Sequence, residues 1–468
     1  MKLAINGGQP IIEEKLDLPW PNMTKKEVLS VLKCFENNHF SGFRAGNYEG
    51  GQEVVGLENI VREMTGSEYA VAFDTWSNGI VSGLLSFGLE VGDEVIITPY
   101  TMTSCATSII SCGAVPVFAD VCENSGCIDP ADIERKITSR TKAIFVVHLF
   151  GIPADMDPIM EIANRHNLFV FEDCAQSPMS LYKGRITGTI GHVGGFSMTQ
   201  SKHITSGEGG VAITNDRKIN NGMRYTRNHG EVWSTAKKAS GLSSYDYCGD
   251  VYGNSGMVGY NFRMTEISAA LGSEQWKRLP GILENKKEMG SFLKNSLSDV
   301  PFVSVMSPTY DHTPSWYNFP MRYTGTETGV SRERFVAALN AEGGSFIQGY
   351  CPPLYGQEIY TTNKHWVIRD HASHIDYENP GCPVVERLWT KELFATLDVR
   401  FPYDMNHMEN IVRIIKKVTN NIQELTQSNH TPHHRIQLHV HYYHLNKFHS
   451  YPIMHLQNNP HDNLLPIP

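Results

Sequence analysis

The chain has 468 residues, enough for two or three domains with a large core, so it needs neither disulfides nor a structural metal to fold. Charged residues make up 19% and the formal charge is −9, which argues against a largely disordered chain and leaves no basic surplus for DNA, RNA or an anionic membrane surface. A small molecule is the first expectation for the ligand.

The opening MKLAINGGQP lacks the apolar stretch of a signal peptide, and no run of about 20 apolar residues follows anywhere, so no membrane span and a cytoplasmic location are expected. The nine cysteines show no CxxC spacing and read as free thiols of a reducing compartment; no metal site is expected. Residues 1–25, with Gly7, Gly8, Pro10, Pro19 and Pro21, read as an N-terminal arm. Thr24 and Glu27 form a capping-box pattern that starts a helix, with Val28, Leu29, Val31 and Leu32 at helical spacing. A Gly-rich loop over Ser41–Gly46 precedes a second helix, about Gln52 to Thr65.

An alternation then begins. Candidate strands lie at Glu68–Asp74, Glu94–Pro99, Val115–Val121, Lys142–Phe150, Leu168–Asp173, Gly194–Thr199 and Gly209–Asp216, with helical patterns between them. Short apolar runs separated by helices imply an α/β fold with a mostly parallel seven-stranded sheet covered on both faces. Residues 231–258 read as a polar loop, and residues 262–296 as helical with a break at Pro280. The reading divides the chain into the arm, a large domain over 26–285, a smaller C-terminal α+β domain over 286–425, and a tail over 426–468. The tail is rich in histidine and proline and reads as a disordered extension; His439, His441 and His444 lack carboxylates or thiols at fixed spacing.

Ligands of open α/β sheets sit beyond the carboxyl ends of strands, so those ends carry the functional reading. The fifth strand ends FVFEDCAQ, where Asp173 is either a helix N-cap or a carboxylate facing a cationic ring nitrogen. The sixth gives GFSMTQSK followed by GEGG, where Lys202 is either a solvated surface residue or a desolvated amine able to act as a nucleophile. The first opens into Asp74-Thr75-Trp76-Ser77-Asn78-Gly79, either an ordinary N-cap or an anion site at a helix start. Together, a ring-facing carboxylate, a lysine and a phosphate cradle define pyridoxal 5′-phosphate (PLP) chemistry.

These stretches, with GSEYAVAFDTWSNG, EVGDEVIITPYTMTSCAT and GYNFRMTEISAALG, resemble the DegT/StrS-type sugar aminotransferases of PLP fold type I, over about residues 3–425. The resemblance implies that Lys202 is the Schiff-base lysine, and that its freed amine moves the proton between the substrate α-carbon and the cofactor. It implies that Asp173 faces the pyridine nitrogen, that Gln176 lies near the ring hydroxyl O3′, and that Ser197 and Ser77 hold the phosphate. Trp76 replaces the glycine of the family's Ser-Gly-Thr turn, a departure that bears on the contacts of Trp76 and Asn78 with the cofactor. Met102 stands where an aromatic residue often stacks on the ring. Asn261 matches a residue that reaches the cofactor of a neighbouring subunit, which implies a homodimer with shared active sites. Asn228 is a further cofactor candidate or an ordinary loop residue. His148 and His192 are expected to be structural.

The implied reaction is amino transfer from glutamate or glutamine to a nucleotide-linked keto sugar or a keto cyclitol. The N-terminal INGGQP resembles the cyclitol and aminobenzoate-forming branches. The alternatives are a PLP-dependent sugar dehydratase on the same scaffold, one branch of which has His in place of the lysine, and a PLP-fold sensor without turnover.

Overall fold

A computed structural model of the chain describes residues 2–14, 22–43, 49–230, 258–362, 364–400 and 403–426. The tail and nearly all of the polar stretch expected over 231–258 lie outside the described residues. The described body falls within one compact unit, Met1–Thr426.

The seven apolar runs form one sheet. The strands are β1 (Tyr69–Phe73), β2 (Glu94–Ile97), β3 (Val115–Phe118), β4 (Thr141–Val147), β5 (Phe169–Asp173), β6 (Val193–Ser197) and β7 (Gly210–Thr214). Their order is β1-β7-β6-β5-β4-β2-β3, and only β7 runs against the others. The strands are buried on both faces, which is why they read as continuous apolar runs and not as an alternation. One consequence of the register governs the site. Phe73 and Ser197 both pair with Gly210, while Asp173 pairs with Gly195, so the carboxyl ends of β1, β5 and β6 meet at one edge.

Helices α1 (Lys25–Glu36), α2 (Gln52–Thr65), α3 (Trp76–Ser86), α4 (Thr103–Ser111), α5 (Pro130–Lys136), α6 (Met156–His166) and α7 (Arg217–Arg227) accompany this sheet. The capping box at Thr24 and Glu27 is formed: the Thr24 N–H donates to Glu27 Oε2 at 2.9 Å. The helical spacing of Val28, Leu29 and Leu32 would ordinarily mark a core-facing stripe. Instead α1 buries Glu27 against Arg278 and Gln275, and Val28, Leu29, Leu32 and Phe35 are exposed.

The long helix α8 (Glu266–Ser296) corrects the expected break: it runs through Pro280 without interruption. Trp276, Leu279 and Ile282 are buried on either side of the proline, so packing holds the turn that lacks a proline N–H. The boundary expected at 285/286 falls inside this helix. The C-terminal part has a four-stranded antiparallel sheet of β8 (Val303–Val305), β9 (Phe319–Tyr323), β10 (Phe346–Gln348) and β11 (Leu393–Thr396), in the order β8-β9-β11-β10. Helix α9 (Arg332–Ala341) packs on β10, and α10 (Met405–Asn420) packs on α8 and α9, burying Ile411, Ile414, Ile415 and Val418 as its spacing requires. The start of the N-terminal arm is bound to this part: the Leu3 N–H donates to Glu424 at 3.1 Å and the Ala4 N–H to Glu342 at 2.9 Å.

Every described cysteine is a free thiol, and among the described residues no cluster suited to a metal ion occurs. No helix among them is long and apolar enough to cross a membrane.

Candidate active site

Asp173 ends β5 and is 4% exposed. It is not a helix cap, the bland alternative from the sequence; its carboxylate sits in a ring of donors. Oδ1 accepts from the Trp76 indole Nε1 at 2.8 Å and from the Ala175 N–H at 2.9 Å. Oδ2 accepts from the Cys105 thiol at 3.2 Å. Burial and the Asp173 charge push that thiol well above the ordinary range, so Cys105 stays protonated and remains a donor.

Trp76 opens α3, whose N-cap is Thr75, with Thr75 Oγ1 accepting the Asn78 N–H at 3.2 Å. Ser77 is half-buried beside it at the helix start. The Asn78 amide donates to Asp74 at 2.7 Å, and burial raises the pKa of Asp74. Ser197 ends β6 and accepts the Thr199 N–H at 3.4 Å. Lys202 follows in the turn, half-buried, with its ammonium 4.6 Å from the centre of the Tyr317 ring. Its charge also acts on Cys105, which touches Asp173.

Gln176 is 4% exposed and bonded at both ends of its amide: Oε1 accepts the Phe150 N–H at 2.9 Å, and Nε2 donates to the Tyr350 hydroxyl at 2.6 Å. Phe150 has a left-handed backbone, φ 58°, unusual for an aromatic residue. The surroundings fix it there, because its carbonyl also accepts the Tyr317 N–H at 2.8 Å. Gly151 follows at φ 86°, where a Cβ would lie 2.6 Å from the Trp316 nitrogen. This junction ties residues 315–317, just before β9, to the edge of the large sheet.

The other expected residues lie as follows. Met102 is the N-cap of α4 and is 49% exposed. Asn228 is buried; its Oδ1 accepts from Arg263 at 2.7 Å, and its backbone bridges to Asn261. Asn261 itself is exposed. His148 is structural, as expected: Nδ1 accepts the Ala154 N–H at 2.9 Å and Nε2 meets Glu172 at 2.9 Å. His192 likewise accepts the Val170 N–H at 3.0 Å.

Sequence reasoning did not find Cys105, Tyr317 or Tyr350 as site residues. Cys105 lies on α4, inside a stretch that carries the family resemblance but in which only Met102 is given a role. Tyr317 and Tyr350 come from the C-terminal part, where no strand-end pattern points to them.

The sequence pattern of the DegT/DnrJ/EryC1/StrS aminotransferase family matches residues 37–382. The chain belongs to this family. It is 34% identical over 354 residues to the GDP-perosamine synthase of Escherichia coli O157:H7, an overlap of 75% of this chain and 89% of that one. It is 33% identical over 438 residues to a putative L-glutamine:3-amino-2,3-dideoxy-scyllo-inosose aminotransferase of Streptoalloteichus tenebrarius, covering 91% and 99%. An aminotransferase of Psychrobacter cryohalolentis shares its fold, with a TM-score of 0.75, 30% identity and coverage of 86% and 99%. The expected family, fold class and amino-transfer activity therefore stand.

Proposed function

We propose that this chain, acting in the cytoplasm, uses PLP to move an amino group from glutamate or glutamine to a nucleotide-linked keto sugar or a keto cyclitol. The observation that carries the reading is the buried Asp173 carboxylate, fixed by Trp76, at the sheet edge that also bears Ser197 and the turn to Lys202. The names of the two relatives, a GDP-perosamine synthase and a glutamine-dependent inosose aminotransferase, support the donor and acceptor classes.

The residues present fit the cofactor. A carboxylate among protonated donors suits a pyridinium nitrogen, and an amine in a half-buried turn suits an aldehyde. Ser77, Ser197 and the start of α3 are the hydroxyls and free amides for a phosphate, at a helix end that favours negative charge. Gln176 is the residue for the ring hydroxyl, with Met102 at the rim and Asn78 supporting the turn. When bound, PLP supplies an electron sink at the carbon that exchanges its amino group. Lys202 would then carry the proton between that carbon and the cofactor, and Asp173 would keep the ring nitrogen in place.

The acting form in this reading is a homodimer. The exposed Val28, Leu29, Leu32 and Phe35 give α1 an apolar stripe suited to a second copy. Asn261, exposed beside Asn228, is the residue assigned to the neighbouring site; Asn228 serves by holding that strand.

Purified protein with PLP and glutamate or glutamine, offered a panel of keto sugars and inososes, tests the reading. Formation of 2-oxo acid together with an aminated acceptor is expected, and Lys202→Ala should abolish it along with the cofactor's visible absorbance. Bound PLP with no turnover of any donor overturns the enzyme reading. Release of a deoxygenated keto sugar in place of an amino sugar would identify a dehydratase.

A further inference from the structure

We propose that Trp76 is a positioning residue for Asp173: its indole N–H fixes the plane of the carboxylate that faces the pyridine nitrogen. This rests on the reading of Asp173 given above. Trp76 is 5% exposed and Asp173 is 4% exposed, so their 2.8 Å hydrogen bond is made away from water, where it is strong and has no competitor. A carboxylate at a strand end can turn about two side-chain torsions. Here Oδ1 takes two N–H donors, from Trp76 on α3 and from the Ala175 backbone, and these two set its orientation. The other oxygen is left to the Cys105 thiol, a weak donor. Oδ2 is therefore the oxygen available to a ring N–H, and the indole is what aims it.

The surroundings are shaped for this indole. A Cβ on Gly79 would lie 2.7 Å from indole Cε3, one on Gly195 would overlap the ring at Cη2, and one on Gly210 would lie 2.6 Å from the Trp76 Cα. Gly79 and Gly195 thus leave room for the ring and Gly210 for the backbone that carries it, and the side chain reaches across from α3 to the end of β5.

The test is a double-mutant cycle of Trp76→Phe and Asp173→Asn, read as the PLP affinity of the apoprotein and as kcat and KM of the loaded enzyme. Trp76→Phe keeps an aromatic ring and removes the donor. PLP affinity and kcat are each expected to fall about tenfold, with little change in KM, the scale of one hydrogen bond to a charged group. In the Asp173→Asn background the same substitution should have almost no effect. Equal losses in both backgrounds, or no loss in the wild type, overturn the proposal. If Trp76→Phe does not fold, the Trp76 indole proton resonance of the apoprotein reads the same contact. It should move upfield in Asp173→Asn, and an unmoved resonance overturns the proposal. A wild-type chain that takes up no PLP overturns the functional reading and this one together, whereas equal losses in a chain that does take it up overturn this one alone.

Discussion

Lys202 directs its ammonium at the face of Tyr317, 4.6 Å from the ring centre. The two residues come from different parts of the chain, the turn after β6 and the segment before β9. The Phe150 carbonyl accepts the Tyr317 N–H at 2.8 Å, so the segment after β4 helps to place the ring. A cation over an aromatic face gains about 0.5–2 kcal/mol depending on how far it is desolvated.

That contact separates two substitutions. Tyr317→Phe keeps the aromatic face and should retain most of the activity. Tyr317→Leu removes it and should lower kcat roughly fivefold to thirtyfold, corresponding to about 1–2 kcal/mol. Steady-state kinetics on the two variants check this; equal activity in both would show that the ring face has no part in holding the amine.

A second prediction concerns the buried ion pairs beneath β1. Glu58 on α2 accepts from Arg227 at 2.7 Å and Arg224 at 2.8 Å, and also from the Ala72 N–H at 3.0 Å. Glu58→Gln leaves the fully buried Arg227 without its carboxylate and should cost about 3–5 kcal/mol, read as a lower urea midpoint. The two arginines hold the Glu58 carboxyl below its ordinary 4.5, so it binds its proton less readily folded than unfolded. Its contribution is present above pH 4.5 and is lost as the pH falls through the lowered value. The acid loss of stability should therefore be shallower in Glu58→Gln.

The same sign, in a more alkaline window, applies to Lys286 on α8. It is 2% exposed, and its Nζ donates to the carbonyls of Trp316 at 2.7 Å and Val399 at 2.5 Å. Burial, and after it the charge of Arg400, push it down to about 7 from 10.5. A neutral amine still has two N–H groups for those two carbonyls. Between the two values the unfolded chain binds more protons, so stability should rise with pH by up to about 1.4 kcal/mol per pH unit. The difference in unfolding free energy between wild type and Lys286→Met, followed from pH 7 to pH 9, should grow in favour of the wild type; a constant difference would contradict the shift.

The stripe on α1 yields a fourth prediction. Leu29 is 58% exposed and Leu32 is 47% exposed, so charging both should not disturb the core. Leu29→Asp with Leu32→Asp is expected to halve the mass seen by light scattering while leaving the secondary structure intact. A protein already monomeric before the substitutions would remove the dimer reading.

How far these features could be read from the sequence depends on how local their causes are. The seven strands were legible because double-sided burial leaves a continuous apolar run, and with them the positions of Asp173 at a strand end and of Lys202 in the turn that follows another. The α1 spacing predicted the helix and left its apolar face unassigned, because helical spacing reports that a face is apolar, not what covers it. Pro280 misled because packing of Trp276 and Ile282 offsets a missing hydrogen bond. Tyr350 and Cys105 were invisible because each earns its place through one long-range contact, with Gln176 and Asp173 respectively.

The three glycines around Trp76 also constrain how this chain can change. A small residue in place of Trp76 would leave a void the size of an indole, at a cost of about 3–5 kcal/mol for such truncations. An alanine at Gly195 would meet the ring while Trp76 remains. Gly195 and Gly210 also face backbone atoms, so they exclude a Cβ whatever stands at position 76. Gly79 faces side chains only, the indole nearest, and positions 76 and 79 are therefore the pair whose sizes can be exchanged only together.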